Sequence, residues 1–349
     1  MITIVLSLIQ DIAIAAPILR RAAGRDVAIL LAQRLALVPA ARERLAALTA
    51  DLSSVSVFES TAGGLHALND RSGLVLFPAE SRSPHHQPTH RLAAALPARF
   101  VSATLQHGYE CIGFLHNRAH DRTPGDAGFA ADIVCGWFAA DRLVSVPPAD
   151  RGKIMTTGST LFLDDGPADW LDAVMAGAPA PDPVGRSDAL LVCENLGSVR
   201  LAGAPKAAFL DALKAVARTR PVVVRPHPAG PFAKGELAVP PGVTLDARPI
   251  EAADLGQYRA AISPPSTVLF DLMRHDVPVA LWRDPHGIID DRLYGNLPRV
   301  GPPGEWLAFH ERAADPAAIA GQRAFVRYLG FPADTRARFD ALLALGEDL

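Results

Sequence analysis

Short apolar runs alternate with segments of helical spacing along most of the chain. In the first part, we expect strands at Ile2 to Leu8, Val27 to Leu31, Ser54 to Phe58, Gly73 to Phe77, Phe100 to Leu105, Ile133 to Cys135, Leu143 to Val146 and Ile154 to Gly158. The helices expected among them are Ile12 to Ala22, Pro39 to Ala50 and His90 to Leu96. This alternation predicts a doubly wound α/β sheet.

A second α/β series follows a connection rich in Pro, Gly, Ala and Asp. Its expected strands are Ala189 to Cys193, Pro221 to Val224, Val243 to Leu245, Ala260 to Ser263 and Val277 to Trp282, and its expected helices are Pro205 to Arg218 and Ser266 to Arg274. We therefore expect a first domain at 1–165, a linker at 166–186 with a short helix, and a second domain at 187–320. The alanine-rich residues 321–349 are expected to form helices that pack back toward the first domain.

Length and composition limit the classes of protein to which this chain can belong. A chain of 349 residues with 49% hydrophobic residues can bury two cores. The formal net charge of −3, without runs of like charge, argues against a nucleic-acid partner. Three scattered cysteines without CxxC spacing predict neither a zinc knuckle nor a disulfide framework, which fits a reducing cytoplasm.

The apolar start of the chain reads as a buried first strand. It contains Asp11 and has no basic residue before it, which is unlike a secretory signal. No run of eighteen apolar residues occurs, so we expect a cytoplasmic protein. Peripheral association with the inner membrane, through Arg20 and Arg21 on the first helix, is the alternative.

The motif Arg225-Pro226-His227-Pro228 directly follows an expected strand. Each proline restricts the residue before it to extended geometry, so His227 is presented at the carboxyl end of that strand. Open α/β sheets bind ligands at this end. An imidazole beside the Arg225 guanidinium suits a phosphate. The alternative is a turn histidine whose hydrogen bonds go to the backbone.

A second candidate phosphate site is the segment Ser263 to Thr267, which precedes a helix. Ser266 is a good N-cap, and the hydroxyls of Ser266 and Thr267 add donors to the free N–H groups of the helix start. Under the alternative, Ser266 only caps the helix. Glu194-Asn195 follows another strand, where it contacts the base or ribose of a nucleotide or forms an ordinary turn.

The first domain offers candidates for a general base. Gln106-His107-Gly108-Tyr109-Glu110 ends a strand, and either His107 or Glu110 is placed to deprotonate an acceptor hydroxyl. Asp11 follows the first strand, where its carboxylate acts in catalysis or simply favours the start of the first helix. The alternative for His107 is that it caps a turn.

The histidines His85, His86 and His90 lie close together in the sequence, after another strand. We expect acceptor contacts there rather than a metal, because the sequence around them lacks a nearby carboxylate partner. The adjacent Asp290 and Asp291 are interpreted as a solvated surface pair. No metal site and no cofactor is expected.

Several enzyme classes lack their defining loop in this sequence. No Gly-x-Gly-x-x-Gly follows a strand, and no Walker sequence occurs. Gly158-Ser159-Thr160 lacks the trailing glycine of a nucleophile elbow. Dehydrogenase, ATPase and α/β-hydrolase interpretations are therefore disfavoured.

The order of these motifs resembles bacterial GT-B enzymes of surface-glycan synthesis. The motifs concerned are Gln106-His107-Gly108, Gly158-Ser159-Thr160, Arg225 to Pro228, Ser263 to Thr267, Phe270 to Met273 and Val277 to Val279. The groups it resembles are capsule-type Kdo transferases, bacterial sialyl- and polysialyltransferases, and CDP-glycerol glycerophosphotransferases. The resemblance covers nearly the whole chain, and it implies two Rossmann-like domains that face each other across a cleft.

The resemblance also implies residue roles. In those families the His-Pro histidine and a Ser-Ser or Ser-Thr pair bind the donor phosphate. The donor-binding residues would be Arg225, His227, Pro228, Ser263, Ser266, Thr267, Glu194 and Asn195. The acceptor-binding residues would be His85, His86 and Gly108. The glycerophosphotransferases use a His-Gly histidine as base, which is His107 here, whereas sialyltransferases use an acidic-acidic-Gly motif that this chain lacks. The base therefore stays open among His107, Glu110 and Asp11, and His227 would assist departure of the nucleotide.

The expected function is an inverting, metal-independent glycosyltransferase. Its donor would be a nucleotide-activated sugar, for which a CMP-linked ulosonic acid of the Kdo or sialic-acid type is favoured. Its acceptor would be a glycan, a lipid-linked acceptor or a protein. The alternatives are a CDP-glycerol-type phosphotransferase, a UDP-GlcNAc 2-epimerase-like enzyme and a GT-B module that only binds.

Overall fold

The computed structural model describes residues 1–49, 54–118, 127–180, 185–195, 203–228 and 230–347, and it divides into two compact units. The first unit combines the amino-terminal part, which ends at Asp169, with the segment Gly330–Leu349. The second unit is Trp170–Leu329, joined by a short piece of chain that begins at Asn117.

The first unit contains a seven-stranded sheet in which all neighbouring strands are parallel. Its strands are β1 (Ile2–Leu6), β2 (Val27–Ala32), β3 (Ser54–Phe58), β4 (Gly73–Phe77), β5 (Phe100–Leu105), β6 (Ile133–Gly136) and β7 (Ile154–Thr156). The helices along this part are α1 (Ile9–Arg21), α2 (Gln33–Ala36), α3 (Pro39–Thr49), α4 (Thr61–Ala67), α5 (Gln87–Ala94) and α6 (Asp165–Met175). The strand order is β3-β2-β1-β4-β5-β6-β7, which is the order of a doubly wound sheet.

Burial explains why the central strands of this sheet read as continuous apolar runs. Every residue of β1, β2 and β4 is buried, as expected for parallel strands covered on both faces. Gly73 begins β4 with φ +117°, and a Cβ there would come 2.2 Å from the carbonyl oxygen of Met1. Only glycine fits this close approach of two backbones.

The second unit contains a six-stranded parallel sheet. Its strands are β8 (Ser187–Cys193), β9 (Val222–Arg225), β10 (Val243–Leu245), β11 (Tyr258–Ser263), β12 (Val279–Trp282) and β13 (Arg299–Val300). The helices of this part are α7 (Ala204–Ala217), α8 (Val268–Met273), α9 (Pro303–Arg312) and α10 (Pro316–Leu329), and α11 (Thr335–Ala344) belongs to the first unit. The order β10-β9-β8-β11-β12-β13 is again that of a Rossmann-like sheet.

One predicted strand is wrong, and the elements α2, α4, α9 and β13 were not predicted. Leu143 to Val146 forms turns, in which the Val144 N–H donates to the Arg142 carbonyl and the Val146 N–H to that of Leu143. Leu143 and Val146 are buried, so their apolar character reflects packing of a turn rather than a strand. The short elements α4 and β13 had no clear apolar pattern.

In the described ranges, no helix is both long enough and apolar enough to cross a bilayer. The two arginines considered for lipid contact are ion-paired inside the first unit. Arg20 makes a bidentate pair with Asp164, at 2.9 and 2.6 Å, and Arg21 pairs with Asp340.

Candidate functional site

The strand order reverses at one point in each sheet, between β1 and β4 in the first unit and between β8 and β11 in the second. Open α/β sheets bind ligands beyond the carboxyl ends of the strands at such a point. The loops after these strands contain Asp11 and His86 in the first unit, and Glu194 and Ser266 in the second. The candidate residues therefore lie where each sheet is built to hold a ligand.

Asp11 is fully buried at the start of α1. Its Oδ2 accepts hydrogen bonds from the backbone N–H groups of Ser7 and Leu8, both at 2.8 Å. Burial raises the pKa of Asp11 to about 6. Its Oδ1 has no hydrogen-bond partner among the described residues. The contacts are those of a carboxylate at a helix start, while the raised pKa is one that suits a general base at neutral pH.

The turn after β5 presents His107. The buried Gln106 side chain organises this turn, because its Nε2 donates to the Gly108 carbonyl at 3.1 Å and its Oε1 accepts from the Trp137 N–H at 2.9 Å. His107 is partly buried, and burial lowers its pKa to about 4. The Cys111 Sγ lies 3.1 Å from its Nδ1 and 3.6 Å from its Nε2. Glu110 is partly exposed in the same turn.

His86 packs against His107 with their rings edge to face and their centroids 5.4 Å apart. It ends the 3-10 turn Pro84–His86, and its Nδ1 is 2.8 Å from the Ser81 Oγ. Burial lowers the pKa of His86 to about 3, and electrostatic interactions with His107, His85 and Arg34 act in the same direction. Both imidazoles are therefore neutral at physiological pH.

Arg34 ties the loops of the first unit together. Its Nη2 donates to the carbonyl of the exposed His85 at 2.9 Å, and its Nε donates to the Ser7 carbonyl at 3.3 Å. The loops after β1, β2, β4 and β5 thus meet through Arg34 and the two imidazoles. The structure thus brings together His85, His86 and His107.

His90 is not part of this group. Its Nδ1 bonds to the buried carboxylate of Glu80, which also accepts from the Ala130 N–H at 3.1 Å and the Ala131 N–H at 3.4 Å. The expectation that these histidines lack a carboxylate partner is therefore wrong. Glu80 is ten residues upstream of His90, and the fold brings the two together. No three potential metal ligands converge anywhere in the described ranges.

The two acidic residues after β12 form separate ion pairs. Asp290 is buried and pairs with Arg292 at 2.8 Å, and its Oδ2 also accepts the backbone N–H of Arg118 at 3.0 Å. The Arg292 hydrogen bond holds the pKa of Asp290 well below its usual range. Asp291 pairs with Arg299 at 2.8 Å. Asp290 is thus an internal ion-pair residue rather than part of a solvated surface pair.

In the second unit, His227 and Pro228 follow β9 and are exposed. The His227 N–H donates to the Glu194 Oε2 at 2.9 Å. Partial burial lowers the pKa of His227, and the nearby positive charge of Lys234 lowers it further. Lys234 is itself exposed, so two cationic or donor side chains lie close together on this loop.

Arg225, which was predicted to bind a phosphate beside His227, is directed at the loop after β10. It is buried, and its Nη2 donates to the carbonyl of Arg248 at 2.8 Å, while its Nη1 is 4.0 Å from the Asp246 Oδ2. Asp246 also makes a bidentate pair with Arg248, with both distances 2.8 Å. Arg225 therefore fixes the loop after β10.

The segment after β11 presents hydroxyls of different accessibility. Ser263 is fully buried and its Oγ donates to the Pro264 carbonyl at 2.7 Å. Ser266 and Thr267 are partly exposed just before α8, and the Val268 N–H is 3.5 Å from the Ser266 Oγ. Ser266 and Thr267 are thus the accessible pair. Asn195 is also partly exposed, next to the buried Glu194.

Four residues of these regions were missed by sequence reasoning. Lys234 follows the His227 motif in the same loop, and lysines are few in this sequence, which was a usable signal. Ser81 and Cys111 contact His86 and His107 within the same loop or turn, and no motif marked them, whereas Arg34 reaches His85 from a different loop.

No protein-family model matches the sequence, and no curated protein matches it. Solved structures do match over nearly the whole chain. The S. aureus MnaA–UDP complex has a TM-score of 0.62 at 11% identity, covering 100% of this chain and 97% of that chain. A Neisseria meningitidis UDP-GlcNAc 2-epimerase bound to UDP-GlcNAc gives 0.57 at 12%, covering 100% of both chains. The glycotransferase of kitacinnamycin gives 0.55 at 14%, covering 99% of this chain and 98% of that chain.

The fold is GT-B. The GT-B fold accounts for two Rossmann-like sheets in one chain, each with candidate residues at its carboxyl edge. Both glycosyltransferases and UDP-GlcNAc 2-epimerases are among the similar structures. The resemblance read from the sequence is therefore confirmed at the level of the fold.

Proposed function

We propose that this GT-B protein is an inverting glycosyltransferase that uses a nucleotide-activated sugar. The second unit binds the donor nucleotide, and the first unit provides the proton acceptor. One observation carries the proposal most: His227 is exposed at the carboxyl edge of the second sheet, and Lys234 lies near enough to lower its pKa. An anion such as a phosphate is the ligand that a cation and an imidazole together favour.

The proposed reaction is a single displacement. The acceptor hydroxyl oxygen forms a bond to the anomeric carbon as the bond from that carbon to the phosphate oxygen breaks. Negative charge grows on the departing phosphate, where His227 and Lys234, with the hydroxyls of Ser266 and Thr267, stabilise it. One well-placed donor of this kind typically lowers a barrier by about 2.7–4 kcal/mol.

The acceptor proton passes to the first unit. We assign it to His107, because burial keeps this imidazole neutral at physiological pH, so that a ring nitrogen is available to accept a proton. His86 and His85 then contact the acceptor, together with the Gly108 backbone. Asp11 and Glu110 are the alternative bases, and the raised pKa of Asp11, about 6, is compatible with that role.

The favoured donor is a CMP-linked ulosonic acid of the Kdo or sialic-acid type, used in bacterial surface-glycan synthesis. Support for this finer assignment comes from the order of the motifs Gln106-His107-Gly108, Arg225 to Pro228 and Ser263 to Thr267. A glycan, lipid-linked or protein acceptor fits a cytoplasmic enzyme that works at the inner membrane. A CDP-glycerol-type transferase would instead leave phosphate in its product.

A second candidate is an epimerase that acts on UDP-GlcNAc without an acceptor. The observation in its favour is the fold similarity to UDP-GlcNAc 2-epimerases, with TM-scores of 0.59 and 0.57 for two of them. Incubation with UDP-GlcNAc alone, followed by chromatography of the sugars, separates the two candidates. Formation of the 2-epimer would favour the epimerase, and absence of conversion would favour the transferase.

Thermal unfolding with CMP, CDP, UDP and GDP tests the proposal directly. A nucleotide that binds only the folded protein at 100 times its Kd stabilises it by about 2.7 kcal/mol, so the unfolding midpoint should rise. We expect the largest rise with CMP and a much smaller rise in the His227→Ala variant. If none of the four nucleotides raises the midpoint, the protein is a binding module of another kind and the proposal is wrong.

A further inference from the structure

Glu194 is a buried carboxylate at the carboxyl end of β8, beside the point where the strand order of the second sheet reverses. Only 3% of the surface of Glu194 is exposed to solvent. Burying a carboxylate is unfavourable unless hydrogen bonds stabilise the charge. The groups that donate hydrogen bonds to this carboxylate therefore indicate the role of Glu194.

The hydrogen bonds around Glu194 extend the pairing of β8 with β9. The Glu194 N–H donates to the Arg225 carbonyl at 2.9 Å, as in a regular ladder. Pro226 then has no N–H, and neither does Pro228. The His227 N–H lies between them and donates to the Glu194 Oε2 at 2.9 Å. The Glu194 side chain thus replaces a backbone acceptor at the point where the prolines interrupt the ladder.

Gly230 completes this arrangement. Its N–H donates to the His227 carbonyl at 2.7 Å. A Cβ on Gly230 would lie 2.5 Å from both Glu194 carboxylate oxygens and 2.9 Å from its Cδ. A Cβ at this position would therefore require the Glu194 carboxylate to move.

We propose that Glu194 is a positioning residue that sets the direction of His227 by holding its amide, and that Gly230 leaves the room for it to do so. This inference rests on the proposed function only for the role of His227 as a donor-phosphate ligand. It replaces the expectation that Glu194 contacts the base or ribose.

Amide exchange tests the contact without any ligand. In NMR spectra of the full chain, we expect the His227 amide to exchange at least tenfold faster in Glu194→Ala than in the wild-type protein. Glu194→Gln keeps an oxygen at the same place and should restore most of the protection. Equal protection of this amide in all three proteins would overturn the proposal.

Gly230→Ala approaches the same contact from the other side. Its Cβ should displace the carboxylate, so the His227 amide should again exchange faster. Gly321→Ala is the matched control, because Gly321 lies in α10 of the same unit and a Cβ there has no atom within 4 Å. In the double variant Glu194→Ala/Gly230→Ala, the His227 amide should exchange no faster than in either single variant. Identical behaviour of Gly230→Ala and Gly321→Ala would contradict the proposal.

Nucleotide titration separates this inference from the proposed function. With CMP as the probe, Glu194→Ala should raise Kd about tenfold, and Glu194→Gln should raise it much less. If CMP and UDP fail to bind the wild-type protein, the proposed function fails, while the exchange data still decide whether Glu194 holds His227. If Glu194→Ala exposes the His227 amide but leaves Kd unchanged, the positioning role is wrong.

Discussion

The carboxyl edges of the two sheets have the same strand topology but differ in the exposure and the neighbours of their histidines. In the first unit, His86 and His107 are held neutral by burial, and their neighbours are the hydroxyl of Ser81 and the thiol of Cys111. In the second unit, His227 is exposed and has Lys234 nearby. The fold thus fixes where the loops lie, while exposure and neighbouring charge decide whether a histidine suits proton transfer or anion binding.

The first strand of each unit is followed by a buried carboxylate with a similar task. Asp11 accepts the N–H groups of Ser7 and Leu8 in its own turn, whereas Glu194 accepts the N–H of His227 on the neighbouring strand's loop. The first contact fixes a helix start, and the second fixes a candidate ligand-binding loop. The two carboxylates organise the backbone around the candidate sites.

The largest effect is expected from His227→Ala. Loss of one donor to the departing phosphate should lower kcat about a hundredfold to a thousandfold. The measurement is release of nucleotide from the donor identified by screening, with thermal unfolding to confirm an intact fold. His66→Ala, at an exposed position on α4, serves as control. Near-normal kcat in His227→Ala would contradict the role of His227 as a donor to the departing phosphate, and with it the difference proposed between the two sheet edges.

His107→Gln should reduce kcat by about a hundredfold, because general base catalysis typically contributes a factor of that order or more.

The lowered pKa of His107 also sets the pH dependence of kcat. The base stays unprotonated until the pH falls to about 4, so the acid limb of the kcat profile should lie near 4 rather than 6.5. His86→Gln should have a smaller effect on kcat. An acid limb near pH 6.5, or a normal kcat in His107→Gln, would show that another residue is the general base.

The smallest effect is expected from Asp11→Asn, and it concerns stability. The folded pKa of about 6 exceeds the ordinary value of 3.8, so the folded chain holds its proton more tightly than the unfolded chain. The ionised carboxylate therefore costs stability above pH 6, and this cost disappears as the pH falls from about 6 to about 4. About two pKa units correspond to roughly 3 kcal/mol.

Asparagine keeps an oxygen for the N–H groups of Ser7 and Leu8 but has no charge. At pH 8, Asp11→Asn should thus be more stable than the wild-type protein by up to about 3 kcal/mol, with the difference gone near pH 4. Urea unfolding at several pH values measures this, and Asp11→Ala, which has no acceptor, should be less stable. A less stable Asp11→Asn at pH 8 would show that the negative charge itself supports the turn.

Sequence reasoning found the fold because the central strands are buried on both faces. Gly73–Phe77 and Phe100–Leu105 have the predicted bounds, since each is an almost continuous apolar run. It failed at Leu143 to Val146, where buried apolar residues pack a turn, and it did not identify α4, whose sequence contains two glycines.

The site was predictable only as far as it follows strand ends. The position of His227 after a strand could be read from its flanking prolines. The contact between Glu194 and His227 joins two different loops, so no local pattern marks it. The contacts of Glu80 with His90 and of Ser81 with His86 lie within the segment after β4, but they depend on how that segment folds. The direction of Arg225 depends on the loop around Arg248, which its own motif does not encode.

The fit between Glu194 and Gly230 has a consequence for related chains. The Cβ of any larger residue at position 230 would meet the carboxylate where it now lies and would require it to shift. Among homologues, the two positions should therefore change together, with a shorter side chain at 194 wherever 230 gains a Cβ. A divergent enzyme of this kind would have to orient its imidazole by some other acceptor.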